Sequence, residues 1–440
     1  MSTPAPALAA RTVLHTWWPL ASSWLLMGVE MPAIAAVISR FPDDTVNLAA
    51  FGGIVFPLAL LIEAPIIMML AASTSLSRDA ASFVTLKRYM TRLALMLTLI
   101  HALVAFTPLF DVLVLHVIGA KPVVLEPARI GFRIMTFWTW AIADRRFHQG
   151  LLIRFGRQHQ VGVGTVVRLL GTATMLLAGW GIGGTSGIVV GTSALAVSVC
   201  CEAAYARWCA RAVIAGPLAD APPVARRIDL TRFIHFYIPL AMSPLLALST
   251  QPIASAGISR MPRELDSYAA FMVLNGLSFM IRSIGVAYNE VVVRHASDPG
   301  GRAALGRFAW TAGLLSSGLM ALIAFTPLAT WWFGDVSDLT EEIVALAIVA
   351  LLWTIPHPLM TFLHSYYQGL LVDAHRTRGI TEAVGVFLVV TAIVIGGGVL
   401  WQGSPGLIVT TAAITAGATA QAAWLFIRCR VLPPIADYAR

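Results

Sequence analysis

The chain has 440 residues, 58% of them hydrophobic and only 12% charged, with a mean hydropathy of +0.78. Soluble domains carry about 25% charged residues. The solvent for most of this chain is therefore lipid, which excludes a secreted disulfide scaffold, a nucleic-acid-binding domain and a conventional cytosolic enzyme. The net charge of +8 comes from arginines in short segments between apolar runs, the pattern of the positive-inside rule.

Met1 to Arg11 is Pro/Ala-rich. The apolar run behind it has no evident cleavage site and reads as a retained first transmembrane helix rather than a signal peptide. A membrane-spanning helix needs about 20 mostly apolar residues. Twelve segments qualify: about 13–38, 46–74, 89–108, 127–153, 161–181, 186–212, 233–258, 268–292, 308–330, 341–371, 380–401 and 404–428. Arg78, Lys87 and Arg88, Arg154 and Arg157, Arg211, Arg226 and Arg227, Arg294, Arg302 and Arg307, Arg376 and Arg378, and Arg428 to Arg440 fall on one side. Asp43, Asp44, Asp111, Asp335, Asp338, Glu341 and Glu342 fall on the other, where only Arg40, Lys121, Arg260 and Arg263 run against the trend. An even number of spans then places both termini in the cytoplasm, as expected for a multi-pass plasma (inner) membrane protein. Cys200, Cys201, Cys209 and Cys429 show no metal-ligand spacing and read as reduced, buried and structural.

The halves repeat. At an offset of 220, Pro19-Leu20-Ala21 meets Pro239-Leu240-Ala241, Ile38-Ser39-Arg40 meets Ile258-Ser259-Arg260, and Ala49-Ala50-Phe51 meets Ala269-Ala270-Phe271. At 219, Ala105-Phe106-Thr107-Pro108-Leu109 meets Ala324-Phe325-Thr326-Pro327-Leu328, Gln149-Gly150-Leu151-Leu152 meets Gln368-Gly369-Leu370-Leu371, and Glu202 meets Gln421. This predicts an all-α membrane protein of two parallel-repeat six-helix bundles. The N-terminal lobe is 1–212, the polar, Pro-rich cytoplasmic linker 213–232 and the C-terminal lobe 233–440. Six spans per repeat give both lobes one orientation, with a site expected at their interface. Lysine occurs only at 87 and 121, neither behind a Gly-rich phosphate loop, and no H-E-x-x-H or G-x-S-x-G motif occurs. Gradient-driven transport is favoured over an enzyme, with no cofactor beyond a possible coupling proton or sodium ion, no bound metal, and a monomer in the bilayer acting on a small-molecule substrate.

Ionisable residues at membrane depth cost at least about 2.5–3.5 kcal/mol on insertion scales, so each is a functional candidate. Glu30 precedes Pro32 and shares a face with Ser23, while the second half carries Ser243 and Thr250 there. Glu63 stands mid-span beside Pro65, and Ser283 is its counterpart. Asp144 and His148, four apart, face one way beside Arg145 and Arg146, one of which is expected to pair with Asp144 or snorkel. Glu30, Glu63, Asp144 and His148 are candidates for coupling or gating; the alternative is acids paired for packing. Asn275, Ser278, Arg282 and Asn289 recur at helical spacing as one polar stripe. Arg282 is the candidate anion-binding cation, since its fork grips a carboxylate or phosphate bidentately; the alternative is a salt bridge to Glu63 or Glu30. Thr250 and Gln251 join Asn275, Ser278 and Asn289 as candidate substrate-binding groups. Arg133, Arg168, Glu202, His101, His235 and His357 read as lone, satisfied groups.

The strings AFTPL and QGLL, with twelve spans in two parallel repeats, resemble the MATE/polysaccharide-flippase (MOP) superfamily. Within it, Pro239-Leu240-Ala241, Ser249-Thr250-Gln251, Ile258-Ser259-Arg260, Asn289-Glu290 to Arg294, Gly28-Val29-Glu30 and His148-x-Gly150-Leu151 are similar to the progressive ankylosis protein family. The resemblance covers nearly the whole chain and implies a V-shaped two-lobe exporter. The subfamily implies anionic substrates such as pyrophosphate, nucleotide or citrate-like carboxylates, although the short loops and the residues around Asp144 depart from it. Cation-coupled drug antiporters of the superfamily place an acid in the first helix, a place Glu30 would fill. Three readings follow: a secondary exporter of a small organic or phosphorylated anion, a proton- or sodium-coupled multidrug antiporter, and a lipid-linked oligosaccharide flippase.

Overall fold

The computed structural model describes residues 9–223, 229–296, 298–374, 376 and 378–430, without the side chains of Pro19, Ser23, Pro239, Leu240 and Ser243. The Ser23 and Ser243 part of the polar stripe, and Arg226, Arg227 and Arg440, lie outside the described residues. Among the described residues, ten helices are long and apolar enough to cross a membrane. They are α1 (Ala10–Ile38), α2 (Asp44–Leu76), α3 (Ala80–Phe106), α5 (Gln158–Ile182), α6 (Gly187–Ala215), α8 (Glu264–His295), α9 (Gly301–Ala324), α10 (Glu341–Asp373), α11 (Arg378–Trp401) and α12 (Gly406–Arg430). Two more helices complete twelve among the described residues. In α4, Leu125–Ile134 continues past Met135 into Thr136–Arg154; in α7, Leu230–Leu248 continues past Ser249 into Thr250–Ile258. Helix α4 is the one with Asp144, Arg145 and Arg146 in mid-span.

The outer surface is what a bilayer demands. Leu99, Leu170, Leu177, Ile393 and Leu400 are among many exposed apolar side chains. On a soluble protein so much apolar surface would drive aggregation. Polar and charged groups (Glu30, Glu63, Asp144, Arg145, His148, Glu202) are buried instead.

The repeat is visible in the backbone. Left-handed residues recur at Asp43 and Arg263 (offset 220), at Gly119 and Asp338, and at Gly183 and Gln402 (both 219). Each AFTPL ends a helix: Thr107 Oγ1 donates to the Leu103 carbonyl and accepts from Leu109 N–H, and Thr326 does the same with Leu322 and Leu328. The third and ninth spans therefore stop at Phe106 and Ala324, short of 108 and 330, because the threonine hydroxyl takes a carbonyl of the last turn and the proline cannot continue the ladder. Wide-turn segments Val112–Ile118 and Trp331–Val336 follow. QGLL marks close packing. A Cβ on Gly150 would lie 2.6 Å from Ser73 Cβ and against the Leu70 carbonyl, and one on Gly369 would lie 2.6 Å from Val292 Cβ.

The helices pack into two compact units, residues 34–260 and residues 261–440 together with α1 up to Ala33. The packing units thus differ in extent from the sequence repeats, which meet at the linker 213–232. In the first unit, α7 is held to α2 by Tyr237 Oη donating to the Pro65 carbonyl (2.5 Å), and to the α3–α4 connection by Arg260 donating to the carbonyls of Val117 and Ile118. In the second, Trp17 of α1 donates to the Ile284 carbonyl (2.8 Å) and packs against Phe308 and Phe362. The four cysteines are free, and only Cys209 is buried. Cys200 is exposed and Cys201 and Cys429 are half-buried: the first two stand at the middle of α6, where part of its surface faces outward, and Cys429 stands at the end of α12.

Candidate functional site

Each unit carries a polar interior. In the unit of residues 34–260, α4 faces α6. Arg145 donates to Glu202 Oε2 at 2.5 Å, with both side chains all but inaccessible. Gln149, one turn along α4, donates to Glu202 Oε1 at 2.9 Å, and Arg168 of α5 approaches Oε2 at 3.9 Å. Asp144 accepts a bidentate pair from Arg207 of α6, at 2.5 and 3.0 Å. His148 Nδ1 lies 3.4 Å from Asp144 Oδ1 and 2.8 Å from the Asp144 carbonyl. Asp144 and His148 thus share a face, as their spacing predicts. Neither adjacent arginine pairs with Asp144, however: side chains 100° apart on a helix reach different neighbours, so Arg145 finds Glu202 and Asp144 finds Arg207. Glu202 and Arg168, read as lone groups, belong to this cluster. Glu202 is repeated as Gln421 and Arg145 as His364, a charged pair facing a neutral one, and that joint substitution was the signal for it.

Glu63 is buried on α2, and its Oε2 has no hydrogen-bond partner. Arg145, Arg146 and Arg168 are the charges that act on it. Arg146 Nε is also buried without a partner, and no ion pair joins Arg146 to any described carboxylate. The cluster holds four guanidiniums (Arg145, Arg146, Arg168, Arg207) and three carboxylates (Glu63, Asp144, Glu202). Thr250 on α7 is buried with its hydroxyl unpartnered, and Gln251 is half-buried.

In the other unit, Arg282 is half-buried on α8, its guanidinium 5.2 Å from the centre of the Phe279 ring. Among the described residues no ion pair joins it to a carboxylate. Ser278, one turn before it, lies 3.5 Å from His357 Nδ1, and His357 Nε2 lies 2.7 Å from Thr415 Oγ1 of α12. His357 is therefore part of a chain and not a lone group. His364 Nε2 bonds the Ala418 carbonyl at 2.8 Å. Asn289 donates to the Ser365 carbonyl at 3.2 Å, and Asn275 is half-buried. Glu30 is buried on α1, where Gly28 packs at Met280 and Pro32 at Gly276 of α8. His101 keeps the structural role expected of it, between Thr139 (3.1 Å) and the Phe132 carbonyl (3.0 Å). Among the described residues no three His, Cys, Asp or Glu side chains converge as metal ligands would.

No protein-family profile and no curated protein matches the sequence. Solved structures do. An inward-facing multidrug resistance MATE transporter of the MOP superfamily aligns with a TM-score of 0.60 at 16% identity over 97% of this chain and 95% of its own. A point mutant of the Vibrio cholerae MATE transporter VcmN aligns at 0.62 and 11% identity, over 96% of each chain. The chain has the MATE fold. The lipid II flippase MurJ, in an inward closed conformation, aligns at 0.71 and 12% identity over 94% of this chain and 88% of its own. The repeated caps, glycines and left-handed turns are how this sequence builds the MATE fold. Its buried charges are laid out differently in the two halves.

Proposed function

We propose that this protein is a secondary active exporter working by alternating access, and that its substrate is a small organic or phosphorylated anion. One observation carries the reading: the half-buried guanidinium of Arg282 sits inside a membrane-spanning helix with no ion pair to a carboxylate among the described residues. A cation held at such depth costs several kcal/mol unless something compensates it, and a bound anion does so. The multidrug-antiporter reading is less well supported, because Asp144 and Glu202 already hold arginines and are not free for a cationic drug. The flippase reading stands second. It is supported by the 0.71 overlay with MurJ, and a lipid-linked oligosaccharide carrying phosphate is also an anion. Glu30, Glu63, Asp144 and His148 are assigned to coupling or gating, with a proton or sodium ion. Arg282, Asn275, Ser278, Asn289, Thr250 and Gln251 are assigned to substrate. The arginine-rich connections support an inner-membrane location with both termini cytoplasmic, and the protein works as a monomer.

Transport into and out of proteoliposomes, with citrate, pyrophosphate and a cationic dye as probes, tests this. Losing a charge-assisted contact worth about 1.5–3 kcal/mol lowers affinity by about tenfold or more. Arg282→Ala should therefore cut anion flux by about that factor at sub-saturating substrate; unchanged anion flux overturns the assignment. Glu30→Gln should leave substrate binding in place and weaken the dependence of flux on an ion gradient. If gradient dependence is unchanged, Glu30 has no coupling role.

A further inference from the structure

The hydrogen bonds of His357 and His364 fix where their protons are. Thr415 Oγ1 lies 2.6 Å from the Trp353 carbonyl and 2.9 Å from the Thr411 carbonyl. Its single hydrogen goes to one of these, so toward His357 Nε2 it offers a lone pair. His357 Nε2 must then carry the hydrogen, and in the neutral ring Nδ1 is bare. The partner of His364 Nε2 is a backbone carbonyl, which only accepts, so His364 Nε2 also carries the hydrogen and its Nδ1 is bare. His357 Nδ1 opens toward Ser278, one helical turn from Arg282 on the same face of α8. His364 lies two turns after His357 on α10, on the same face. Arg282 is the leading charge acting on both rings, and His364 also acts on His357. The other charges on the helices of this unit are Arg11 and Glu30 on α1, Glu264, Asp266, Glu290 and Arg294 on α8, Arg302 and Arg307 on α9, Glu341, Glu342 and Asp373 at the ends of α10, Arg378 and Glu382 on α11, and Arg428 and Arg430 at the end of α12. The first-half counterparts of the two histidines are Trp138 and Arg145, so only this half has a titratable pair at these positions.

A fully ionised anion brings only acceptors. It gains charge and donors from Arg282, but a bare Nδ1 is also an acceptor and repels it. Each histidine becomes a donor to the anion only when Nδ1 takes up a proton. We propose that Arg282, His357 and His364 form a proton-linked anion site, in which an anion binds together with a proton drawn from water onto a ring Nδ1. This deepens the anion-exporter reading and rests on it: the proton that accompanies substrate is carried in the half containing Arg282, on residues separate from Asp144 and His148.

The test uses the full-length protein in nanodiscs and sulfate, which does not titrate near neutrality, as the probe. Calorimetry in two buffers of different ionisation enthalpy counts the protons taken up per sulfate bound. One proton is expected, with Kd weakening by up to about tenfold per pH unit as the medium turns alkaline. In the His357→Asn, His364→Asn double variant, proton uptake should vanish and Kd should lose its pH dependence. Because that variant alters a buried hydrogen-bond chain, a second readout uses the wild type. Nitrogen-15 spectra of its ten histidines should show an Nδ1 resonance move from bare to protonated on adding sulfate, assigned by its absence from the single variants. Sulfate binding without proton uptake, or with no Nδ1 change, overturns this inference and leaves the anion reading standing. Failure of sulfate, citrate and pyrophosphate alike to bind at any pH tested sinks both.

Discussion

Glu202→Ala is expected to lower stability by about 3–5 kcal/mol, the usual cost of removing one partner from a buried ion pair. Glu202 accepts from Arg145 at 2.5 Å and from Gln149 at 2.9 Å, with Arg168 at 3.9 Å. Its removal leaves Arg145 buried and uncompensated between α4 and α6, and Arg145 Nε already lacks a partner. The repeat supplies a control, because the second half places His364 and Gln421 at these two positions. The double variant Arg145→His, Glu202→Gln removes both charges at once and should be less destabilised than either single substitution, since two neutral groups need no compensation. Thermal or denaturant unfolding in detergent reads all three. A Glu202→Ala protein as stable as wild type would mean that the carboxylate is not what balances this arginine cluster.

Gly150→Val is expected to be the other severe substitution. Adding side-chain volume to a filled contact costs typically about 1–3 kcal/mol and more where the obstacle cannot move. Here the obstacles are the Leu70 carbonyl and the Ser73 Cβ of α2, and the same approach lets Thr74 Oγ1 donate to the Gly150 carbonyl at 3.1 Å and Ser73 Oγ to the Phe147 carbonyl at 2.7 Å. Gly369→Val should behave alike against Val292 and the Asn289 carbonyl. Gly162 on α5 has nothing within 4 Å, so Gly162→Ala should be neutral or gain up to about 1 kcal/mol from helix propensity. Yields of folded protein and unfolding midpoints separate these outcomes; a well-folded Gly150→Val protein would refute the close-packing account of QGLL.

Particular strings show how far the sequence alone could be read. AFTPL and QGLL are visible twice at a constant offset, but their physical reasons appear only in the fold: a threonine closing one helix and opening the next, and a glycine pressed against a neighbouring backbone. The Asp144–His148 contact was legible because it is local, four residues along one helix. The Arg145–Glu202 and Asp144–Arg207 pairs were not, because their partners lie 57 and 63 residues apart and helical periodicity says which face a residue is on, never which helix that face meets.

By itself the sequence determined the solvent, the number of spans and the duplication. Lipid requires long apolar runs whose backbone groups are satisfied within each helix, and that requirement is written in composition and in the 219–220 offset. The tertiary structure decided which charges are already matched and which are left over, because pairing depends on distances of a few ångströms between helices remote in the chain. It also decided the protons on His357 and His364, because a ring's tautomer is set by whether its neighbour is a carbonyl or a hydroxyl, and those neighbours come from α12.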